Sequence, residues 1–97
     1  MKANTTYELT ASDFCQGRLY SGSRACTLGW MEKLSIKDVV SENKFVKVWQ
    51  KEANKAGVGN KGYLIPYRND NPETTKKQLA TVFNNTMAAL GLEIVDV

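Results

Sequence analysis

Residues 72–90 read PETTKKQLATVFNNTMAAL, and this stretch decides the fold class. Its side chains at i, i+3, i+4, i+7, i+8 and i+11 are Leu79, Val82, Phe83, Thr86, Met87 and Leu90. That spacing is typical of a helix that buries one face. Asn71 is a suitable N-cap ahead of Pro72, and Gly91 suits the left-handed position after the last turn. We therefore predict a helix over about 72–90.

A second helix is predicted over about 42–56, between Ser41 as N-cap and Gly57 as terminator. The apolar side of this helix carries Phe45, Val46, Trp49, Ala53 and Ala56, and the opposite side carries Lys44, Lys47, Lys51 and Lys55. Two interpretations of the lysines stay open: a solvated face that keeps the helix soluble, or a docking strip for an anionic partner. Between Ser41 and Lys77, eight basic residues stand against four acids, so this half holds the excess positive charge.

The first third of the chain is predicted to contain short helices. Thr10 with Asp13 resembles a capping box, and the same pattern recurs over 35–38 ahead of the second helix. We expect Ser23 to cap a helix that runs from Arg24 to about Leu34. Gly29 would lie inside that helix, where glycine costs about 1 kcal/mol relative to alanine. We interpret it as a point of close packing against another backbone or a large side chain.

The segment 57–62 contains three glycines and is predicted to be the most mobile loop. A hinge is one interpretation, and a phosphate-binding nest that uses Lys61 is the other. The following residues Tyr63 to Tyr67 favour an extended segment, and residues 92–97 alternate in the same way. We expect these two segments, about 63–67 and 92–97, to pair as a short two-stranded β element.

The polar cluster at residues 68–70 lies beside aromatic residues and has two interpretations. Asn69 or Asp70 can support a turn into the last helix through its own side chain. Alternatively, Arg68 together with Tyr63 and Tyr67 forms a site that stacks on and ion-pairs with a nucleotide or an acidic protein surface.

Composition limits the available chemistry. The 97 residues carry 13 basic and 10 acidic side chains, a net charge of +3, and no histidine. Without an imidazole, the sequence excludes Ser-His-Asp and Cys-His catalysis and His-ligated zinc or haem. We expect a mainly α, small helical domain of about four helices that occupies residues 1–97 as a single domain. We expect neither catalytic activity nor a cofactor.

The two cysteines and the opening residues bear on location. The chain begins without the apolar core of a signal peptide, and no apolar run is long enough to cross a membrane, so a cytoplasmic location is expected, in the host cell if the chain is phage-encoded. In that compartment Cys15 and Cys26 should be reduced, and we interpret both as buried small apolar residues.

Three short motifs resemble a small uncharacterised domain family of phage and bacterial genomes. They are Cys15-Gln16-Gly17, Cys26-Thr27-Leu28-Gly29 and Asn69-Asp70 followed by Thr74 or Thr75 and an amphipathic helix. The aromatic residue that commonly precedes the first motif in that family is Phe14 here, in place of Trp. The resemblance implies an origin in a phage or mobile element and assigns no activity.

Two functional hypotheses follow. The first is a non-catalytic phage-type protein that binds and inhibits a host protein or protein–nucleic acid complex, as anti-defence or anti-CRISPR inhibitors do. The second is a binder of nucleic acid or of a phosphorylated nucleotide through a basic helix face. The candidate binding residues for both are Lys44, Lys47, Lys51, Lys55, Lys61, Tyr63, Tyr67 and Arg68.

Overall fold

The computed structural model describes residues 8–59, 61–62 and 64–92. The elements are β1 (Tyr20–Ser21), β2 (Arg24–Ala25), α1 (Thr27–Lys33), α2 (Glu42–Lys55), α3 (Ile65–Asn69) and α4 (Lys76–Ala89), with single 3₁₀ turns at Ala11–Asp13 and Ile36–Asp38. The predicted mainly α class with about four helices is confirmed.

Helices α2 and α4 pack against each other and supply most of the core. Phe45 at the start of α2 lies 5.6 Å from Phe83 of α4, measured between ring centroids. At the other end of α2, the Gln78 side chain donates a hydrogen bond to the Ala56 carbonyl at 3.1 Å. The two helices are therefore antiparallel. Each large apolar side chain buried between them, such as Phe83, contributes roughly 1.5–3 kcal/mol.

Helix α2 (Glu42–Lys55) follows its predicted bounds closely. The Ser41 hydroxyl accepts a hydrogen bond from the Lys44 backbone N–H at 3.2 Å, which satisfies one of the free amides of the first turn. Gly57 and Gly91, which follow α2 and α4, have φ angles of 76° and 68°. Gly91 thus takes the left-handed conformation predicted for it, and Gly57, the predicted terminator of α2, takes the same conformation.

Helix α4 begins at Lys76 rather than at about residue 72. Thr75 is its N-cap, because the Thr75 hydroxyl accepts from the Gln78 N–H at 3.1 Å. The Gln78 side chain in turn accepts from the Thr75 N–H at 2.9 Å, which completes a capping box. The predicted cap at Asn71 is wrong, since its side chain accepts from the Glu73 N–H at 2.8 Å and supports a turn before the helix.

Residues 20–25 form a β-hairpin, which includes the predicted cap at Ser23 and the predicted helix start at Arg24. The strands pair in the register Tyr20 with Ala25 and Ser21 with Arg24. Gly22 lies in the turn with a φ of 63°. The predicted helix from Arg24 to Leu34, capped by Ser23, is therefore wrong at its beginning. Strand pairing takes up the first two of those residues, and α1 begins only at Thr27.

Gly29 of α1 faces this hairpin. A Cβ at Gly29 would lie 2.6 Å from the Leu19 carbonyl oxygen and 2.8 Å from the Ala25 Cβ. The predicted close packing at this glycine is confirmed, since only a residue without a side chain lets α1 approach β2 so closely.

The predicted β element over 63–67 and 92–97 is wrong in its first segment. Residues Ile65–Asn69 form the short helix α3, with Pro66 in its first turn, where the missing N–H costs no hydrogen bond. Residue 63 and residues 93–97 lie outside the described residues. The two-stranded sheet of the described chain is the β1–β2 hairpin instead.

An amide clamp joins the two ends of the described chain. The Leu9 N–H donates to the Asn84 side-chain oxygen at 3.0 Å, and the Asn84 side-chain NH₂ donates to the Leu9 carbonyl at 2.8 Å. The following 3₁₀ turn is fixed by the Asp13 carboxylate, which accepts from the Thr10 N–H at 2.8 Å as the capping pattern predicts. These contacts hold the start of the described chain against α4.

Candidate functional site

The α2 lysine face consists of Lys44, Lys47, Lys51 and Lys55, and all four residues are exposed. Their spacing of three or four residues places them in one row along the helix, about 16 Å long at a rise of about 1.5 Å per residue. The opposite side of α2 is anchored in the core through Phe45, Trp49 and Ala53. The lysine row is therefore presented to solvent by a firmly packed helix.

Few acids neutralise the α2 lysine face. Between described residues, its one ion pair joins Lys55 Nζ and Glu52 Oε2 at 3.5 Å. Glu42 lies in the first turn, where a carboxylate complements the helix dipole. Lys61, beyond the end of α2, is also exposed. The face therefore carries positive charge that an anionic surface can complement.

Arg68 does not belong to this surface, which corrects its predicted role as a binding residue. Its side chain is 0% exposed. The guanidinium donates to the Val58 carbonyl at 2.9 Å, the Gly59 carbonyl at 3.2 Å and the Asn54 side-chain oxygen at 2.8 Å, and it lies 5.7 Å from the Trp49 ring centroid. Desolvation by burial lowers the pKa of Arg68. Arg68 is thus a structural cation that joins α3 to the end of α2.

These contacts also bear on the first half of the glycine loop, at Val58 and Gly59. A phosphate-binding nest needs backbone N–H groups that converge on an anion. Here the carbonyls of both residues converge on the Arg68 cation instead. The first half of the loop therefore accepts hydrogen bonds from Arg68 and holds its guanidinium in place.

The predicted binding residues include two tyrosines, Tyr63 and Tyr67. Tyr67 lies on α3 and is 60% exposed, and Leu64, one turn earlier, is 64% exposed. Tyr63 lies outside the described residues. Because the neighbouring Arg68 bonds to Asn54 of α2, α3 lies near the carboxyl end of α2.

A second polar region, which the sequence reasoning missed as a unit, is centred on Asn69. The Asn69 side-chain oxygen accepts from the Thr27 backbone N–H at 3.0 Å and from the Thr27 hydroxyl at 2.7 Å. Its NH₂ group donates to the Cys15 carbonyl at 3.3 Å and to the Asp70 carboxylate at 2.9 Å. Since Asn69 is only 1% exposed, every one of its side-chain hydrogen bonds is made inside the protein.

Further bonds extend this region to the first motif. The Gln16 side chain donates to the Asn69 and Thr74 carbonyls at 2.8 and 2.9 Å. The Gly17 N–H donates to the Asp70 carboxylate at 2.8 Å. We call Gln16, Gly17, Thr27, Asn69, Asp70 and Thr74 the motif network. All three motifs noted in the sequence therefore meet at one place, where their polar groups satisfy each other.

The sequence contains a signal for this convergence. Each motif contains one side chain that can both donate and accept hydrogen bonds, namely Gln16, Thr27 and Asn69. Such residues are unusual in the core unless their partners are close. A search for mutual partners among the three motifs could have paired them, whereas hydrophobic periodicity could not.

Cys15 and Cys26 are both free and buried, which confirms the prediction that they are interior. Cys26 lines a notch of about 170 Å³ between the hairpin, α1 and α3. The other residues along this notch are Gly17, Arg18, Leu19, Leu28, Pro66, Asn69 and Asp70. A larger groove of about 240 Å³ lies on the other side of Leu28, beside Met31 and Ile36.

The described ranges contain neither a metal-binding cluster nor a helix that could span a membrane. Nowhere in residues 8–59, 61–62 and 64–92 do three or more cysteine or acidic side chains gather closely enough to hold a metal ion. None of the helices in this part of the chain combines the length and the apolar composition that crossing a bilayer requires.

Comparisons of the chain with protein-family models, with curated proteins and with solved structures found no match.

Proposed function

We propose that this protein is a non-catalytic binding protein that docks its α2 lysine face on an anionic surface of a host protein assembly. The observation that carries the proposal is the row of four exposed lysines with a single ion pair between described residues. Acids at i,i+4 spacing from bases would stabilise an exposed helix face through ion pairs. None of these four lysines has an acid four residues before it.

A protein partner is favoured over a nucleotide or nucleic acid by two features. Arg68 is buried, and the Val58 and Gly59 carbonyls face it, so the predicted phosphate contacts do not converge on one pocket. The exposed Leu64 and Tyr67 offer apolar contact area near the basic row. Mixed basic and apolar surfaces are typical of protein interfaces, where charge sets orientation and buried aromatic residues supply affinity.

Inhibition is the form of this function that the resemblance to phage-type motifs suggests. A small protein without catalytic groups acts on a larger assembly by occupying a surface that the assembly needs. A lysine row about 16 Å long would cover an acidic surface, including one that mimics nucleic acid. We propose that the protein acts in this way in the host cytoplasm, as anti-defence inhibitors do.

The test is affinity capture from a bacterial host lysate with three baits. These are the wild type, the double variant Lys47→Glu with Lys51→Glu, and a control with Lys33→Glu and Lys37→Glu, which makes the same change in net charge outside α2. Every capture is run with and without nuclease. The proposal predicts a protein that the wild type and the control retain after nuclease treatment, and that the α2 variant loses at least tenfold.

A direct binding assay distinguishes this proposal from the nucleic-acid hypothesis. If the purified chain instead shifts DNA or RNA oligonucleotides at low salt, with an affinity that falls steeply with ionic strength, the nucleic-acid hypothesis replaces this one. If the α2 variant and the control capture the same proteins as the wild type, the α2 lysine face is only a solvated surface and the proposal is wrong.

A further inference from the structure

Cys15 and Cys26 occupy neighbouring positions on two adjacent backbone segments. Phe14 and Ala25 form a parallel β-bridge, and the Cys15 N–H donates to the Ala25 carbonyl at 3.1 Å. The next pair in that register is Cys15 with Cys26. Adjacent strands lie about 4.8 Å apart, and this separation falls within the range of about 4.4–6.8 Å between Cα atoms that a disulfide requires.

The two thiols also lie on the same side of this bridge. Side chains alternate along extended backbone, and both Phe14 and Ala25 are 0% exposed in the core. Cys15 and Cys26 therefore lie together on the opposite side, where they are 6% and 8% exposed. The pKa of Cys15 is raised by burial first and then by the nearby Cys26, while Arg18 opposes the rise.

An approach to the pair exists through the notch beside the hairpin. Cys26 lines this notch, and Gly17, Arg18 and Leu19 form its adjoining wall. The Cys15 thiol donates to the Arg18 carbonyl at 3.4 Å, so it lies directly behind that wall. A flexible peptide disulfide can therefore reach Cys26 first, with Cys15 next to it as the resolving thiol.

We propose that Cys15 and Cys26 form an oxidation site that converts to an intramolecular disulfide with a small-molecule disulfide such as oxidised glutathione. The Cys26 thiolate attacks one glutathione sulfur, which forms a mixed disulfide and releases one glutathione. The Cys15 thiolate then attacks the Cys26 sulfur and releases the second glutathione. The two cysteines together lose two protons and two electrons, which the glutathione disulfide takes up.

Oxidation closes a covalent ring around the hairpin without touching the α2 lysine face. The bond joins the turn at Cys15 to the start of α1 at Cys26, and both ends already contact the motif network through Asn69 and Thr27. Because the bond constrains the unfolded chain, the melting temperature should rise by roughly 10 °C. Burial raises the pKa of Cys15, which lowers its thiolate fraction and slows the second of the two attacks.

The experiment treats the purified full chain with oxidised glutathione and measures its intact mass. The expected product is a monomer lighter by two hydrogen atoms, with no glutathione attached and with a higher melting temperature. Cys15→Ser and Cys26→Ser variants, checked for folding by circular dichroism, should lack this product. Cys15→Ser should stop at the mixed disulfide with glutathione, since it has no resolving thiol.

Three results would overturn the proposal. Wild-type protein carrying glutathione on both cysteines would show that the thiols do not meet. Chains linked only to one another would show the same. Thiols that stay unmodified under an exposure that fully modifies the urea-unfolded chain would show that the notch gives no access. The intact mass of the wild-type protein is enough to distinguish these outcomes. The test therefore still holds if one of the variants fails to fold.

Discussion

The α2 lysine face and the motif network are both polar, yet they differ in what satisfies their charges and hydrogen bonds. Lys44, Lys47 and Lys51 are exposed and have no acidic partner among the described residues. Asn69, by contrast, is 1% exposed and uses both donors and both acceptor positions of its side chain. Polar groups that make all their hydrogen bonds within the protein hold a structure together. A row of charged side chains without acidic partners is available to another molecule.

This comparison assigns different roles to residues that look alike in the sequence. Arg68 and the lysines are all basic residues of the same half of the chain, but Arg68 belongs with the buried region. Removing a buried polar group leaves its hydrogen-bond partners buried and unsatisfied, whereas the partners of an exposed group can bond to water. The comparison therefore predicts large stability effects at the motif network and small ones on α2.

The largest effect is expected for Asn69→Ala. This change leaves the Thr27 N–H and the Cys15 carbonyl buried without their side-chain partner, and it should lower the free energy of unfolding by about 3 kcal/mol. Urea denaturation followed by circular dichroism measures the difference. Asn85→Ala is the matched control, because Asn85 is exposed on α4 and alanine is a good helix former. A loss below about 1 kcal/mol for Asn69→Ala would contradict the structural role assigned to the motif network.

A smaller but still clear effect is expected for Gly29→Ala, in the second motif. The new Cβ would lie 2.6 Å from the Leu19 carbonyl oxygen, a backbone atom that cannot move away as the end of a flexible side chain can. Overpacking of this kind costs about 1–3 kcal/mol and outweighs the gain in helix propensity of about 1 kcal/mol. In Gly59→Ala the nearest atom, at 2.7 Å, belongs to the flexible Asn71 side chain, so that variant should lose less stability. Equal melting temperatures for the two variants would contradict this ranking.

The smallest effect on stability is expected for Lys47→Glu combined with Lys51→Glu. Both residues are exposed. The change leaves positions 47 and 51 like-charged and gives position 51 one opposite charge at i,i+4, Lys55, so the free energy of unfolding should stay within about 0.5 kcal/mol of the wild type. Urea denaturation at low and high salt measures it. A loss of more than about 1 kcal/mol would place these lysines among the structural residues and weaken the proposed function.

The two long helices could be predicted from the sequence because each repeats its apolar period over several turns. α2 and α4 are 14 residues long, and their caps use the residue types that the sequence offers. The start of α4 differs from the prediction because Thr75 and Gln78 cap each other reciprocally, which outweighs the Asn71-Pro72 signal.

The short elements could not be predicted in the same way. Strands β1 and β2 have two residues each, so no alternation can appear. α3 has five residues, and its Ile65, Pro66 and Tyr67 favour an extended segment by composition alone. The helical turn brings Arg68 to the Val58 and Gly59 carbonyls, and these tertiary contacts leave no mark in the local composition. The exposed lysines follow from the period of α2, whereas the burial of Arg68 depends on this packing.

The amide clamp between Leu9 and Asn84 has a consequence for the order of folding. Its two hydrogen bonds join residues 75 positions apart, so they form only after a very long loop has closed. Helices α2 and α4, whose hydrogen bonds are local, can form much earlier. Hydrogen exchange of the Leu9 amide in the native state therefore reports on how firmly the start of the described chain is fastened to α4.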